Sequence, residues 1–358
     1  MNRFARCGVE TESAAMPLVS VVIPVYNTQR FLAECLESIR AQSYGRWEAV
    51  IVDNCSTDES AVIAHRLAQE DSRFSVIRCT EFLPQLDNYN RALSYVSPDA
   101  RYCKILEADN WIFPEFLARM VELAEREAQV GIVGSYFLQG RTLRGSGLDY
   151  SQEILSGREV CRMQLLGSCY FWGSPTSLLY RADMVRSRPA FFDTQALHGD
   201  VDVCYELLQT WKFGFVHQVL SFERVGNEGI TSSIAAYHPT LLREMMDVHR
   251  YGPIFLTERE QRDASQPKDH RYQNYLGLSV FWRPWDRRFW ERQRQGMSMA
   301  GIRWSRVRIG WWAVRAMVQD VLLEPKALMR WLARLLRQTG TRTARRYGGR
   351  EIVGSGKP

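Results

Sequence analysis

The sequence predicts an α/β fold: a mostly parallel sheet flanked by helices, with a helical, basic appendage at its C-terminal end. Three observations carry this expectation. Apolar strand-like runs alternate with amphipathic helical segments through residues 17–240. The connections between them are short, as βα units require. The charge also changes sign along the chain: residues 271–358 hold 19 Lys+Arg against 5 Asp+Glu, or +14, whereas residues 1–270 hold 27 against 35, or −8. Regions so differently charged are expected to meet different partners.

Each element can be justified in order. Residues 1–16 carry Arg3, Arg6, Glu10 and Glu12 with no apolar run long enough for a secretory leader, and are expected to be disordered. VSVVIPVY (Val19 to Tyr26) is an apolar strand, and Thr28 to Gln42 places Phe31, Leu32, Cys35, Leu36 and Ile39 on one helical face. AVIVDN (Ala49 to Asn54) is a second strand. Ser56, Thr57, Asp58 and Glu59 then supply helix N-terminal chemistry for a helix reaching Gln69. FSVIRC (Phe74 to Cys79) precedes a helix at Asn88 to Val96. YCKILEAD (Tyr102 to Asp109) precedes a helix at Pro114 to Glu127, and GIVGSYFL (Gly131 to Leu138) is a further strand.

Composition narrows the classes. A chain of 358 residues, 46% hydrophobic and 24% charged, can bury a sizeable core. Its eight cysteines are scattered without a CxxC pair and are expected to be reduced core residues. No eighteen apolar residues run together, so a transmembrane helix is not expected. GxxxxGK[ST], GxSxG and HExxH are all absent, and GSGLDY (Gly145 to Tyr150) is expected to be a turn.

In parallel sheets, ligands bind beyond the carboxyl ends of the strands. Tyr26 and Asn27 end the first strand, Asp53 the second, and Glu107 and Asp109 the fourth. An aromatic ring beside a carboxylate suits a nucleobase, although turn and cap roles would also account for Tyr26 and Asp53. Asp109 suits Mg²⁺ or Mn²⁺, which take oxygen ligands and often bind through one or two carboxylates plus substrate phosphates.

The run PLVSVVIPVYNTQRFLAECLESIRAQSYGRWEAVIVDNCSTDES resembles the opening of the family 2 glycosyltransferases, inverting enzymes of GT-A fold that use nucleotide-diphospho-sugars. LEADNWIFPEFLARMVELAE is similar to that family's metal-binding strand end and following helix. GSPTSLLYRADMV and HGDVDVCYELLQTWKFGFVHQVLSFERVGNEGITS resemble its acceptor half, so the likeness covers about residues 17–233. The resemblance implies that Tyr26 stacks on the base and Asp53 contacts uracil or its equivalent. Pro24, Asn27, Asn90, Glu107, Ala108 and Arg224 would complete the nucleotide-sugar site, with Arg224 near the diphosphate and Asp109 as metal ligand. Glu107 stands where the family usually has the first Asp of its motif, and Asn110 where a further Asp is frequent. Asp200 would be the catalytic base, although Gly199 replaces the Glu that commonly precedes it. Trp172, His198 and Asp202 are candidate acceptor contacts.

Seven tryptophans lie in the basic region: Trp282, Trp285, Trp290, Trp304, Trp311, Trp312 and Trp331. Lys326, Arg330, Arg334 and Arg337 lie opposite Leu328, Leu332, Leu335 and Leu336 on a helix starting at Pro325. Such a helix suits an anionic membrane surface, or packs on the catalytic domain. The expected division is a GT-A domain at 17–240, a helical Trp-rich region at 241–338 and a disordered tail at 339–358. No nucleic-acid module accompanies the arginines. The expected protein is cytoplasmic, peripheral on the inner membrane face, and takes a UDP-type donor and a glycan or lipid-linked acceptor. A catalytically impaired glycan-binding or scaffold subunit and a nucleotidyltransferase are the alternatives.

Overall fold

The computed structural model describes residues 16–226 and 239–318. The N-terminal stretch through Ala15, the helix expected at Lys326 to Arg337 and the tail from Thr339 lie outside the described residues. Two compact units are present. One holds the described residues through Gly226 together with Tyr251–Thr257, the other those up to Arg250 and from Glu258 onward.

The first unit is a sheet covered by helices. Its strands are β1 (Val19–Val25), β2 (Trp47–Asp53), β3 (Phe74–Arg78), β4 (Tyr102–Ile105), β5 (Trp111–Ile112), β6 (Val130–Gln139), β7 (Thr142–Arg144), β8 (Ile154–Ser156), β9 (Leu178–Arg181) and β10 (Lys212–Glu223). The order is β3-β2-β1-β4-β9-β6-β10-β5, with β7 on β6 and β8 on β10. β1, β2, β3 and β4 pair in parallel, and β10 pairs in parallel with β6. β9 enters antiparallel between β4 and β6, so the sheet is mixed on that side.

The helices are α1 (Leu32–Arg40), α2 (Ser60–Glu70), α3 (Gln85–Leu93), α4 (Phe116–Arg126), α5 (Gly157–Leu166), α6 (Ala182–Arg186) and α7 (Gly199–Leu207). β1 shows why its sequence is a continuous apolar run. Val19, Val21, Ile23 and Val25 pack into the layer of α1 and α4, while Val22 packs into the opposite layer with Tyr89 and Ala92 of α3. A strand covered on both faces has no solvent side to carry polar residues.

Three of the boundaries that differ from the sequence expectation bear on the site. α1 begins at Leu32 rather than Thr28, because the Thr28 carbonyl accepts the first turn's N–H groups from Phe31 and Leu32. α3 begins at Gln85 rather than Asn88, directly after Pro84, whose fixed φ suits a helix start. β4 ends at Ile105, so Glu107 and Asp109 lie on the connection beyond it rather than in the strand.

The second unit contains α8 (Pro239–Phe255, whose last turn belongs to the first unit), α9 (Glu258–Trp282), α10 (Arg287–Met299) and α11 (Arg306–Met317). Asp286 caps α10 by accepting from Phe289 N at 3.0 Å, and Ser305 caps α11 by accepting from Arg308 N at 3.3 Å. α9 and α11 cross closely at Gly277, where a Cβ would lie 2.6 Å from the Trp312 carbonyl. No helix of the described residues is long and apolar enough to cross a membrane.

Candidate active site

Parallel pairing sets the site's geometry. Val25 is level with Asp53 and Val22 with Ile105, so the chain leaves β1, β2 and β4 along one edge of the sheet. Tyr26, Asp53 and the Glu107–Asp109 connection therefore share that edge. Pro24 is buried in β1 opposite Val52 and beyond the last β1–β4 pair, where its missing N–H costs no ladder bond on that side.

The loops after β1 and β2 are fastened to each other by side chain to backbone bonds. Asn27, at φ +50°, donates its N–H to Ser56 Oγ at 3.0 Å and accepts from Thr57 N at 2.8 Å through Oδ1. Thr28 N donates to Ser60 Oγ at 2.9 Å and Gln29 N to Asp58 Oδ2 at 3.0 Å. The Ser56 to Glu59 segment thus holds the neighbouring loop as well as opening α2. Asn27 shapes this loop, its side-chain oxygen already being engaged by Thr57.

The Tyr26 ring is 47% exposed and lies 4.8 Å from the ring of Phe82, itself 53% exposed. Asp53, by contrast, is fully buried. Its Oδ1 accepts from Ser56 N at 3.1 Å; its Oδ2 has no hydrogen-bond partner, with Arg78 Nε 3.9 Å away. Phe82 and Arg78 carry no motif in the sequence. Phe82 arrives because Asn54 clasps its neighbour, Asn54 Nδ2 donating to the Leu83 carbonyl at 2.8 Å and Leu83 N to Asn54 Oδ1 at 3.0 Å.

At the end of β4 the carboxylate of Glu107 is fully engaged. Tyr89 Oη donates to Oε1 at 2.9 Å; Asn110 Nδ2 and Thr176 Oγ1 donate to Oε2 at 2.9 and 3.1 Å. Burial and the Glu107 charge push the Tyr89 phenol well up, which keeps it a donor. The amide of Asn110 supplies this donor, whereas an Asp would set a second carboxylate against Glu107. Asn110 Oδ1 accepts from Arg224 N at 2.8 Å, and Arg224 Nε donates to the Asp109 carbonyl at 3.0 Å. The Arg224 guanidinium lies 4.3 Å above the Phe31 ring and bonds Glu34. Ala108 is buried, and Asp109 is half-buried.

Two buried charges hold the turn that carries Thr176. Lys104 Nζ donates to the carbonyls of Pro175, Thr176 and Leu178, and faces the Phe116 ring at 4.5 Å. Glu223 accepts from Ser174 N at 2.8 Å, and Gly173 is required beside it, because a Cβ there would lie 2.6 Å from its Oε1. Burial brings Lys104 down to about 7; burial and then the Glu107 charge push Glu223 up to about 7.

α3 links this edge to Asp200. Tyr89 holds Glu107; Asn90 donates to the Phe192 carbonyl at 2.8 Å and accepts from Phe192 N at 2.9 Å; Leu86 would meet a Cβ at Gly199 at 3.0 Å. Asn90 therefore clasps the segment before α7, with both ends of its amide committed. His198 directly precedes α7 and is half-buried; Asp200 lies in the first turn and is half-buried.

Two expectations for the acceptor side are corrected. Asp202 is 4% exposed and accepts from Tyr251 Oη at 2.9 Å, so it ties Tyr251 to α7 from within. Trp172 is 1% exposed and packs edge-on against Tyr205 at 5.2 Å, making it a core residue.

The donor set fits a cation in one way only. Among the described residues no group of three His, Cys, Asp or Glu side chains could hold a metal, and Glu107 is occupied by neutral donors. A divalent ion here would rest on Asp109 and on the phosphates of a bound donor, a mode such cations use.

Residues 20–179 match the model described as glycosyl transferase family 2. EpsE of Bacillus subtilis (strain 168) is 34% identical over 123 residues, covering 34% of this chain and 44% of EpsE. Glycosyltransferase GlyG of Streptococcus pneumoniae serotype 4 is 28% identical over 153 residues, 41% of this chain and 50% of GlyG. The chain spans about half the length of these relatives. The crystal structure of S. aureus TarS 1–349 in complex with UDP-GlcNAc matches with a TM-score of 0.55 at 15% identity, over 78% of this chain and 79% of that one, which shows a shared fold. The match to glycosyl transferase family 2 thus spans the parallel strands and the loops at their ends, and the GT-A-like sheet is the fold shared with TarS.

Proposed function

We propose that this protein is an inverting glycosyltransferase, moving a sugar from a UDP-type nucleotide-diphospho-sugar to a hydroxyl of a glycan or lipid-linked acceptor at the cytoplasmic face of a membrane. The observation that carries the donor half is Asp53 Oδ2, a buried carboxylate oxygen without a hydrogen-bond donor, at the same strand-end edge as the exposed Tyr26 ring. Buried polar atoms are rarely left unpaired, and a base N–H would complete this one while the ring stacks on the base.

In this reading Asp200 accepts the proton of the acceptor hydroxyl. The hydroxyl oxygen bonds to the anomeric carbon on the face opposite the diphosphate, the bond from that carbon to the diphosphate oxygen breaks, and the nucleoside diphosphate leaves with the electron pair. One carboxylate suffices for such a displacement. A divalent cation held by Asp109 would supply positive charge to the leaving diphosphate. Arg224, whose Nε is anchored on the Asp109 carbonyl, fixes the backbone there.

The test is nucleotide-sugar turnover with and without Mn²⁺, in the wild type and in Asp200→Asn. Loss of general-base catalysis is expected to lower kcat by about 10²–10⁴-fold with the nucleoside diphosphate still bound. Unchanged turnover in the variant overturns the assignment of Asp200. Nucleotide binding without turnover of any donor favours the scaffold alternative, and diphosphate release from a nucleoside triphosphate favours the nucleotidyltransferase.

A further inference from the structure

We propose that helix α11 docks the second unit onto an anionic lipid bilayer, through an apolar stripe of Val307, Trp311, Val314 and Val318 edged by arginines. The inference deepens the membrane half of the function proposed above and is independent of the sugar chemistry.

α11 has two apolar faces. Ile309, Trp312, Ala313 and Ala316 are buried and pack inward, Trp312 against Gly277 of α9. That face alone accounts for the helix's place in the unit. On the other side Val307 is 83% exposed, Trp311 61%, Val314 62% and Val318 44%. At about 100° per residue these four positions fall within an arc of roughly 60°, with Arg306 about 100° to one side and Arg308 and Arg315 about 80–100° to the other. A contiguous exposed apolar stripe is uncommon on a monomer surface unless something covers it.

Charge selects the occupant. Residues 292–318 contain six arginines and no acidic residue. Arg303, Arg306 and Arg308 are exposed and form no ion pair among the described residues. The Arg315 guanidinium lies 5.3 Å from the Trp311 ring centroid, leaving the indole as the widest apolar surface of the stripe. A second copy laid on this face would bring Arg306, Arg308 and Arg315 against the same three residues. Residues 319–358, with nine Lys+Arg and three Asp+Glu, are also repelled by it. An anionic headgroup layer instead takes the arginines at the phosphates, the indole at the interface and the valines beneath it.

The test uses the full chain and sedimentation with vesicles of phosphatidylcholine alone or phosphatidylcholine with phosphatidylglycerol. The wild type is expected to sediment with the anionic vesicles and to be released by salt. Trp311→Ser with Val314→Ser is expected to weaken partitioning at least ~10-fold. Arg306→Gln with Arg308→Gln is expected to abolish the preference for phosphatidylglycerol. Because all four residues are exposed, the thermal midpoint should not move in either variant, which separates lost docking from lost folding. Wild-type partitioning by the Trp311/Val314 variant overturns the proposal. So does a vesicle-free dimer that this variant dissociates, which would make the occupant a second copy. Loss of binding only on deletion of residues 319–358 also overturns it, placing the contact in the tail. Donor hydrolysis measured without vesicles reports separately on the sugar-transfer reading.

Discussion

The ends of β2 and β4 carry carboxylates under opposite conditions. Asp53 is fully buried, yet one of its oxygens has no hydrogen-bond donor. Glu107 is only half-buried, yet Tyr89, Asn110 and Thr176 occupy both of its oxygens. A carboxylate whose acceptor capacity is filled by the protein is a strut, and its removal is felt in the fold. A buried one left short of a donor is a cost to the fold that a donor on a bound ligand would offset. The same contrast explains why Asn110 accompanies Glu107. A Glu and an Asn form a self-satisfying pair across the connection, through a donor that a second Asp could not supply.

The largest expected effect tests the strut. Glu107→Ala leaves Tyr89 Oη, Asn110 Nδ2 and Thr176 Oγ1 short of their acceptor, and each buried group left unpaired costs about 1–3 kcal/mol. A loss of about 3–5 kcal/mol in urea unfolding is expected, with water filling part of the gap. Restoring most of that loss in Glu107→Gln, which keeps one acceptor oxygen, would sharpen the assignment. A variant as stable as the wild type would break the distinction between the two strand ends.

A third carboxylate extends the comparison to pH. Glu223 has a donor in Ser174 N, but burial and the Glu107 charge raise it from 4.5 to about 7. The folded state therefore holds a proton that the unfolded chain releases. The stability this contributes is present below about 4.5 and lost as pH rises through about 7, on the order of 3 kcal/mol in all. Lys104 works in the opposite window, lowered by burial from 10.5 to about 7, so its contribution is present above 10.5 and lost as pH falls through about 7. The two contributions are jointly weakest near neutrality. In unfolding measured across pH, Glu223→Gln is expected to flatten the acid limb and Lys104→Met the alkaline limb. A wild-type profile without a slope between 4.5 and 7 contradicts the shift assigned to Glu223.

Much of the parallel half was legible in the sequence because local pattern decides it. β1 reads as an unbroken apolar run because helices cover both its faces, and Asp53 is conspicuous as the charge that ends such a run in β2. Features that depend on distant partners were not legible. Phe82 reaches Tyr26 only because Asn54, far back in the chain, clasps Leu83. Lys104 looks like an ordinary polar residue in a strand, and nothing local announces that three carbonyls of the Pro175 turn converge on it. Trp172 is expected on the acceptor side because it precedes the TSLLY strand, and Asp202 because it stands two residues from Asp200, in segments that resemble a glycosyltransferase acceptor half. Burial against Tyr251 and Tyr205 assigns them to the interior instead.

The smallest expected effect is the one that tests the open oxygen. Asp53→Asn preserves an acceptor for Ser56 N while exchanging Oδ2 for a donor, so stability should change by less than about 1 kcal/mol. Nucleotide binding should change more, since a charge-assisted hydrogen bond is worth about 1.5–3 kcal/mol, or roughly 10–100-fold in Kd for UDP by calorimetry. Tyr26→Ala should add a loss of about 1 kcal/mol through stacking. Phe82→Ala should act through Tyr26, so its effect ought to vanish in the Tyr26→Ala background. If Asp53→Asn instead unfolds the protein while UDP affinity in the surviving fraction is intact, Asp53 is a strut like Glu107. The base would then have to be recognised elsewhere along the edge.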